Sequence, residues 1–206
     1  MARPHHREQA LPANGRVRIV DQQTLADDWF VLKKTSFEYR RNDGRWQLMH
    51  RETYDRGNGA ALLLYNPQRG TVVLTRQFRF PAFANGCEDG LLVEACAGLL
   101  DDDDPLAAIR REVQEETGYA VREPRKVFEA YMSPGSVTEK LHFFVAEFDD
   151  TDRTGQGGGD MAEGEDIEVL ELPLAQAMEM IRTGQIQDGK TIMLLQHAAL
   201  LGLHRL

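Results

Sequence analysis

From Val17 apolar and polar residues mix in strand-like runs through VRIVD and WFVLKKTSFEYR, turn at 42–44, and resume as RWQLMHRETYD to a stop near Asp55. Strand-like runs rich in β-branched and aromatic residues, interrupted by a turn-rich triplet, predict an antiparallel β-meander. The next run, GNGAALLLYN, is continuously apolar and opens on glycine, the pattern of a strand buried on both faces; residues 67–70 turn it into TVVLTRQFRF. Residues 91–96 predict a short strand, and KVFEAYMSPGSVTEKLHFFVAEFD predicts two more joined by a tight turn at Pro134 and Gly135. After the glycine-rich stretch TGQGGGDMAEGE, IEVLELP predicts a last strand. LAQAMEMIRTG then predicts an amphipathic helix stopped by Gly184, and KTIMLLQHAALLGL a second, largely apolar helix.

Between the strands lies one helix marked at both ends. Asp104 is a good N-cap, Pro105 suits the first helical position, and Gly118 suits the C′ stop. Leu106, Ile109 and Val113 recur at helical spacing as a core-facing stripe. Glu112, Glu115 and Glu116 stand three and four residues apart, on one side of the helix and about a quarter-turn from that stripe. Like charges at these spacings cost a few tenths of a kcal/mol per pair. A hard divalent cation held by oxygen ligands would reverse that sign. Strands before and after this helix, with further helices at the C-terminal end, predict an α/β/α sandwich around a mixed sheet with an N-terminal antiparallel β extension.

The 206 residues, 42% of them hydrophobic, divide into a mobile tail over 1–15, a β-sheet subdomain over 16–55 and a main domain over 56–206. A net charge of −9 argues against a nucleic-acid surface and suits a site that recruits cations. The sequence holds no apolar run long enough for a membrane span and no export signal, so a cytoplasmic protein is expected. Cys87 and Cys96 lack partners at ligand spacing and read as reduced thiols in core or loop. Arg76 and Arg79 interrupt an otherwise apolar strand. Arg79 suits a phosphate contact; for Arg76, phosphate binding and charge protection of a strand edge both stand. The stretch 154–165 reads by composition as a flexible acidic loop, either an inert linker or a lid carrying a late catalytic acid.

The run Arg111, Glu112, Glu115, Glu116 and Gly118 resembles the second half of the Nudix box. Counted from Gly98, the acid of the box falls on Asp104, with six residues between it and Arg111 where the pattern has seven; counted back from Gly118, Ala97 takes the place of the box glycine and Asp103 that of its acid. YDRGNG, RQFR, AGLLD, YMSPG, DIEVLELP and DGKT, spread over residues 17 to about 195, resemble the GDP-mannose pyrophosphatase branch of the Nudix family. That resemblance implies a Nudix hydrolase domain over 56–206 that uses Mg²⁺. It implies the Ala97 carbonyl, Glu112, Glu116 and Glu165 as metal ligands. Trp29, Arg51, Glu52, Arg79, Glu139 and Lys190 then hold substrate, together with Ala97, Gly98 and Leu99. Glu165 or Glu115 serves as proton acceptor, both remaining open. The substrate expected is a nucleotide sugar, GDP-mannose yielding GMP and mannose 1-phosphate. ADP-ribose or ADP-sugar hydrolysis is the alternative, and a non-catalytic nucleotide-binding module the remote one. The acidic loop departs from the family pattern, with Gly164 where an acid is expected. A meander of this length leaves sheet edges exposed, which predicts a homodimer in which the N-terminal sheet packs across the partner. Trp29, Arg51 and Glu52 would then complete the other chain's site.

Overall fold

The computed structural model describes residues 14–100 and 103–202; the expected mobile tail falls almost wholly outside the described residues, as do Asp101 and Asp102. Two compact units result, one of residues 59–130 and 141–202, the other of residues 14–58 and 131–140.

The larger unit is built on a seven-stranded mixed sheet. Its central path runs β10 (Glu168–Pro173), β5 (Thr71–Phe78), β4 (Gly59–Asn66), β9 (Lys140–Glu147), β8 (Arg125–Tyr131), while β6 (Leu91–Glu94) lies beside β5 and β7 (Cys96–Leu99) beside β4. β4 runs parallel to β9, in register from Gly59 opposite Leu141 to Tyr65 opposite Glu147. Every residue of β4 is buried, as its continuous apolar run requires. Ala60, Leu62 and Leu64 pack with Ala108, Ile109 and Val113 of α2 (Pro105–Thr117). The alternate residues point to the opposite face. On that face Phe143 stacks on Phe128 at 4.6 Å, and Phe128 meets His197 of α4 (Gly189–Leu201) at 5.7 Å. With α3 (Leu174–Arg182) packed on α4, the unit is the expected α/β/α sandwich.

The caps of α2 form as the sequence dictates: Asp104 accepts from Leu106 N at 3.0 Å and Ala107 N at 3.3 Å, and Gly118 takes φ 77°. Two departures matter for the site. TVVLTRQFRF does not stay extended, because Pro81 in a first turn starts the short helix α1 (Phe80–Ala84) and leaves Arg79 at the N-cap position. The strand expected over 91–96 is two strands. Ala95 N gives its proton to Thr191 Oγ1 of α4 at 2.7 Å, and there the chain changes partner from β5 to β4.

The second unit is the expected meander: β1 (Val17–Asp27), β2 (Val31–Arg40) and β3 (Trp46–Asp55), all antiparallel. β1 outruns the segment VRIVD, with register shifts between Ile19 and Asp21 and between Thr24 and Ala26. Residues 131–140 join this unit through Tyr54: its N–H donates to Ser136 O at 2.8 Å, and Thr138 N donates to Tyr54 O at 3.1 Å.

Candidate active site

Three carboxylates of α2 and one from the glycine-rich loop come together in the larger unit. Burial pushes Glu116 up to about 8, with the negative charges of Glu112 and Glu165 adding to the shift and a hydrogen bond from the Cys96 thiol and the charge of Arg79 opposing it. Burial likewise pushes Glu112 up to about 7, with Glu115 and Glu165 adding to it and neighbouring Arg111 opposing it. Glu115 is exposed.

The expected quarter-turn offset between acids and core stripe fails for Glu116, which is 2% exposed. At 100° per residue Glu116 falls between Glu112 and Val113 around the helix and within about 20° of Ile109, so it sits inside the apolar stripe. Its neighbour there is Cys96, itself 3% exposed; burial, followed by the Glu116 charge, holds that thiol well above its ordinary pKa. Nothing in the sequence singled Cys96 out for this contact.

Glu116 Oε2 is buried and has no hydrogen-bond partner. A buried acceptor left unpaired is costly unless a cation or donor arrives. Two carboxylates driven toward neutrality by burial, all-oxygen donors and an orphaned lone pair fit a hard divalent ion, which takes one or two carboxylates and completes its shell with water and substrate phosphate. Ala97 lies on β7 between Cys96, which meets Glu116, and Gly98, which meets Glu112, and is paired with Ala61 of β4. Gly98 makes room, since a Cβ there would stand 2.6 Å from Glu112 Oε2. Among the described residues no three ligating side chains already form a metal cage. One reason is visible at Glu165, whose Oε2 accepts from Asp160 N at 3.0 Å.

The glycine-rich loop, expected to be flexible, is tied to the end of α2. Gly158 N donates to Glu116 O at 2.9 Å and Gly159 N to Glu115 O at 3.3 Å; Thr154 N and Gly155 N both donate to Gly118 O, at 2.8 and 3.0 Å. These amides satisfy carbonyls that a helix C-terminus leaves open. Gly157, Gly158 and Gly159 all have positive φ, and a Cβ on Gly157 would lie 2.8 Å from Thr117 Cα, so the close approach requires glycine.

Arg79 and Lys190 flank the carboxylates through a residue the sequence reading passed over. Glu94, 3% exposed, accepts from Arg79 Nε at 2.7 Å and Lys190 Nζ at 2.5 Å. Arg76 takes neither expected role cleanly. β5 is an interior strand, so no edge is being protected, and Arg76 pairs across it with Glu168 of β10 at 2.6 Å. Arg76 also lines a cleft of about 740 Å³ with Cys87, Asp89 and Gln187, which holds none of the glutamates; the chemistry lies with the carboxylates, where buried charge is concentrated. In the smaller unit Trp29 is 55% exposed, Arg51 and Glu52 are exposed on β3, and Glu139 pairs with Arg56 at 3.4 Å.

A mixed-sheet α/β/α sandwich with paired glutamates on a capped helix behind a short strand defines a class of metal-dependent hydrolases. Residues 55–195 match the NUDIX domain, and residues 16–54 match the GDP-mannose pyrophosphatase NudK N-terminal domain. The chain belongs to the Nudix hydrolase family, whose members use a divalent metal. It is 57% identical over 186 residues to the GDP-mannose pyrophosphatase of Pectobacterium atrosepticum, covering 90% of this chain and 95% of that one. It is 54% identical over 182 residues to the GDP-mannose pyrophosphatase of Citrobacter koseri, covering 88% of this chain and 94% of that one. Among solved structures, an ADP compounds hydrolase shares the fold with a TM-score of 0.68 at 18% identity, covering 95% of this chain and all of the other. Among the described residues no helix is long and apolar enough to cross a membrane.

Proposed function

We propose that the chain hydrolyses the diphosphate linkage of GDP-mannose, giving GMP and mannose 1-phosphate, with Mg²⁺ as its metal. The observation that carries this reading is the buried, unpartnered Oε2 of Glu116 beside Glu112, on a helix that matches the NUDIX domain. The identity of the substrate rests on the relatives named GDP-mannose pyrophosphatase, which match nearly the full chain.

Glu112, Glu116 and the Ala97 carbonyl would hold the ion, and Glu165 would join them on release from Asp160 N. The bound ion would neutralise phosphate charge and acidify a coordinated water. The protein's own work is to orient and to move a proton. Arg79 and Lys190 fix the diphosphate, and backbone at Gly98 and Leu99 lines its path. A water oxygen bonds to one phosphorus as the bridging P–O bond breaks, and its proton passes to Glu165 or Glu115. One water is consumed and two monophosphates leave.

The sheet of residues 16–55 serves as a dimerisation subdomain and 56–206 as the hydrolase domain. In the homodimer Trp29, Arg51 and Glu52 reach substrate held by the partner, and Glu139 also holds substrate. Supporting this, Ile19, Val20 and Leu25 of β1 are 46%, 60% and 41% exposed, an apolar edge on a thin sheet. A cytoplasmic setting suits a nucleotide-sugar substrate. Competition kinetics with GDP-mannose and ADP-ribose in one tube with Mg²⁺ tests the substrate: GDP-mannose should show the higher kcat/KM, and a preference for ADP-ribose would replace this reading. Sedimentation tests the dimer, and a fully active monomer would remove it.

A further inference from the structure

Glu94 ends β6 almost wholly buried, yet no step of the proposed reaction uses it. Its two carboxylate oxygens serve different cations, Oε2 the Nε of Arg79 and Oε1 the Nζ of Lys190. Those cations come from separate elements, Arg79 from the end of β5 and Lys190 from the first turn of α4. Lys190 is 12% exposed and also stands 3.1 Å from Asp188, whereas Arg79 is 39% exposed. Among the described residues Arg79 makes no ion pair except that with Glu94. With Nε committed, its terminal amino groups remain available to an acceptor from outside the chain.

Burial pulls the Lys190 pKa down; the carboxylates of Glu94 and Asp188 more than offset this, and the repulsion of neighbouring Arg79, and leave it raised. Arg79 is also close enough to Glu116 to lower that carboxyl's pKa, so the pinned guanidinium borders the metal-binding carboxylates. A guanidinium recognises phosphate through a planar fork. Fixing that plane beforehand removes rotamer entropy that would otherwise be lost on binding.

We infer that Glu94 is the positioning residue of the phosphate clamp, holding Arg79 and Lys190 in place for a diphosphate without touching it. The inference rests on the hydrolase reading for the identity of the anion. Its test is calorimetric titration of inorganic pyrophosphate with Mg²⁺ into wild type, Glu94→Gln, Arg79→Ala and the double variant. Glu94→Gln should weaken binding about tenfold, and Arg79→Ala at least as much. Because part of the effect of Glu94 runs through Arg79, the double variant should lose less than the product of the two single losses. Unchanged affinity in Glu94→Gln, multiplied losses in the double variant, or no pyrophosphate binding by wild type would each overturn it. Removing the Glu94 charge leaves the buried Lys190 ammonium with Asp188 as its one remaining carboxylate partner among the described residues and can cost the fold. In that event the comparison moves to Lys190→Met against Lys190→Met with Glu94→Gln, where the tenfold loss must persist. A wild type that binds pyrophosphate but hydrolyses no nucleotide sugar would sink the functional reading and leave this comparison intact.

Discussion

Gly98 stands where Glu112 needs the space: a Cβ added to Gly98 would lie 2.6 Å from Glu112 Oε2 and closer still to the carbons behind it. The backbone of Gly98 is not in the left-handed region, so alanine there is a steric change alone. Gly98→Ala should fold, push the Glu112 carboxylate aside and raise the Mg²⁺ concentration for half-maximal activity by about tenfold or more, since an ångström of misplacement is costly in a site of this kind. Metal titration of the rate checks it, and an unchanged half-saturation would show that Glu112 does not hold the ion.

Glu116→Gln should abolish most turnover while leaving the fold intact. Loss of a metal ligand removes several kcal/mol of transition-state stabilisation, at least about a hundredfold in kcat. Because Glu116 is buried beside Cys96 with one oxygen unpaired, the isosteric amide opens no cavity and removes an acid that burial opposes. Thermal unfolding in EDTA at pH above 8 should therefore be no lower than in wild type. Activity within tenfold of wild type at saturating Mg²⁺ would remove Glu116 from the ligand set.

The parts of this arrangement that were legible in the sequence are those governed by local rules. The Asp104 cap, Pro105 and Gly118 delimit α2 to the residue, and an unbroken apolar run marks β4 as the buried strand. What escaped depends on contacts between distant residues. Glu116 looked like an outward acid because spacing to Glu112 and Glu115 gives relative, not absolute, orientation on the helix. Glu94 lies in a strand of otherwise apolar residues, and its two cations arrive from 15 and 96 positions away. The loop at 154–159 has a flexible composition, yet its glycines are there to let backbone approach backbone at the end of α2. Composition reports the conformational freedom of a segment and is silent on the surface it docks against.

Mutation separates an ion-pair role for Arg76 from a phosphate contact. It is 47% exposed and pairs with Glu168, 52% exposed, in the cross-strand position of β5 and β10. Exposed pairs of this kind contribute about 0 to 1 kcal/mol. Arg76→Ala should lower stability by no more than that and leave kcat/KM within about threefold of wild type. A large rise in KM for the nucleotide sugar would instead place Arg76 on the phosphates.

The stability of the metal-free protein should fall as pH rises, with a sign fixed by Glu112 and Glu116. Both carboxyls are raised from 4.5 on folding, to about 7 and about 8, first of all by burial. A group whose folded pKa exceeds its unfolded value binds its proton more tightly in the native state, so its stabilising effect is complete below the unfolded pKa. That effect is lost as pH climbs through the folded pKa, here the window between about 4.5 and about 8. Mg²⁺ acts in the opposite sense, because it binds the deprotonated carboxylates and competes with their protons. The gap in Tm between saturating Mg²⁺ and EDTA should thus widen from about pH 6 to about pH 8.5, and ligand excess of a hundredfold over Kd corresponds to about 2.7 kcal/mol. In a Glu112→Gln and Glu116→Gln double variant the EDTA curve should flatten over the same range and the gap should close. Differential scanning calorimetry across that pH series decides the matter: a metal-free Tm that rises with pH in wild type, or a gap that survives in the double variant, would show that these two carboxyls are not the coupled proton and metal site.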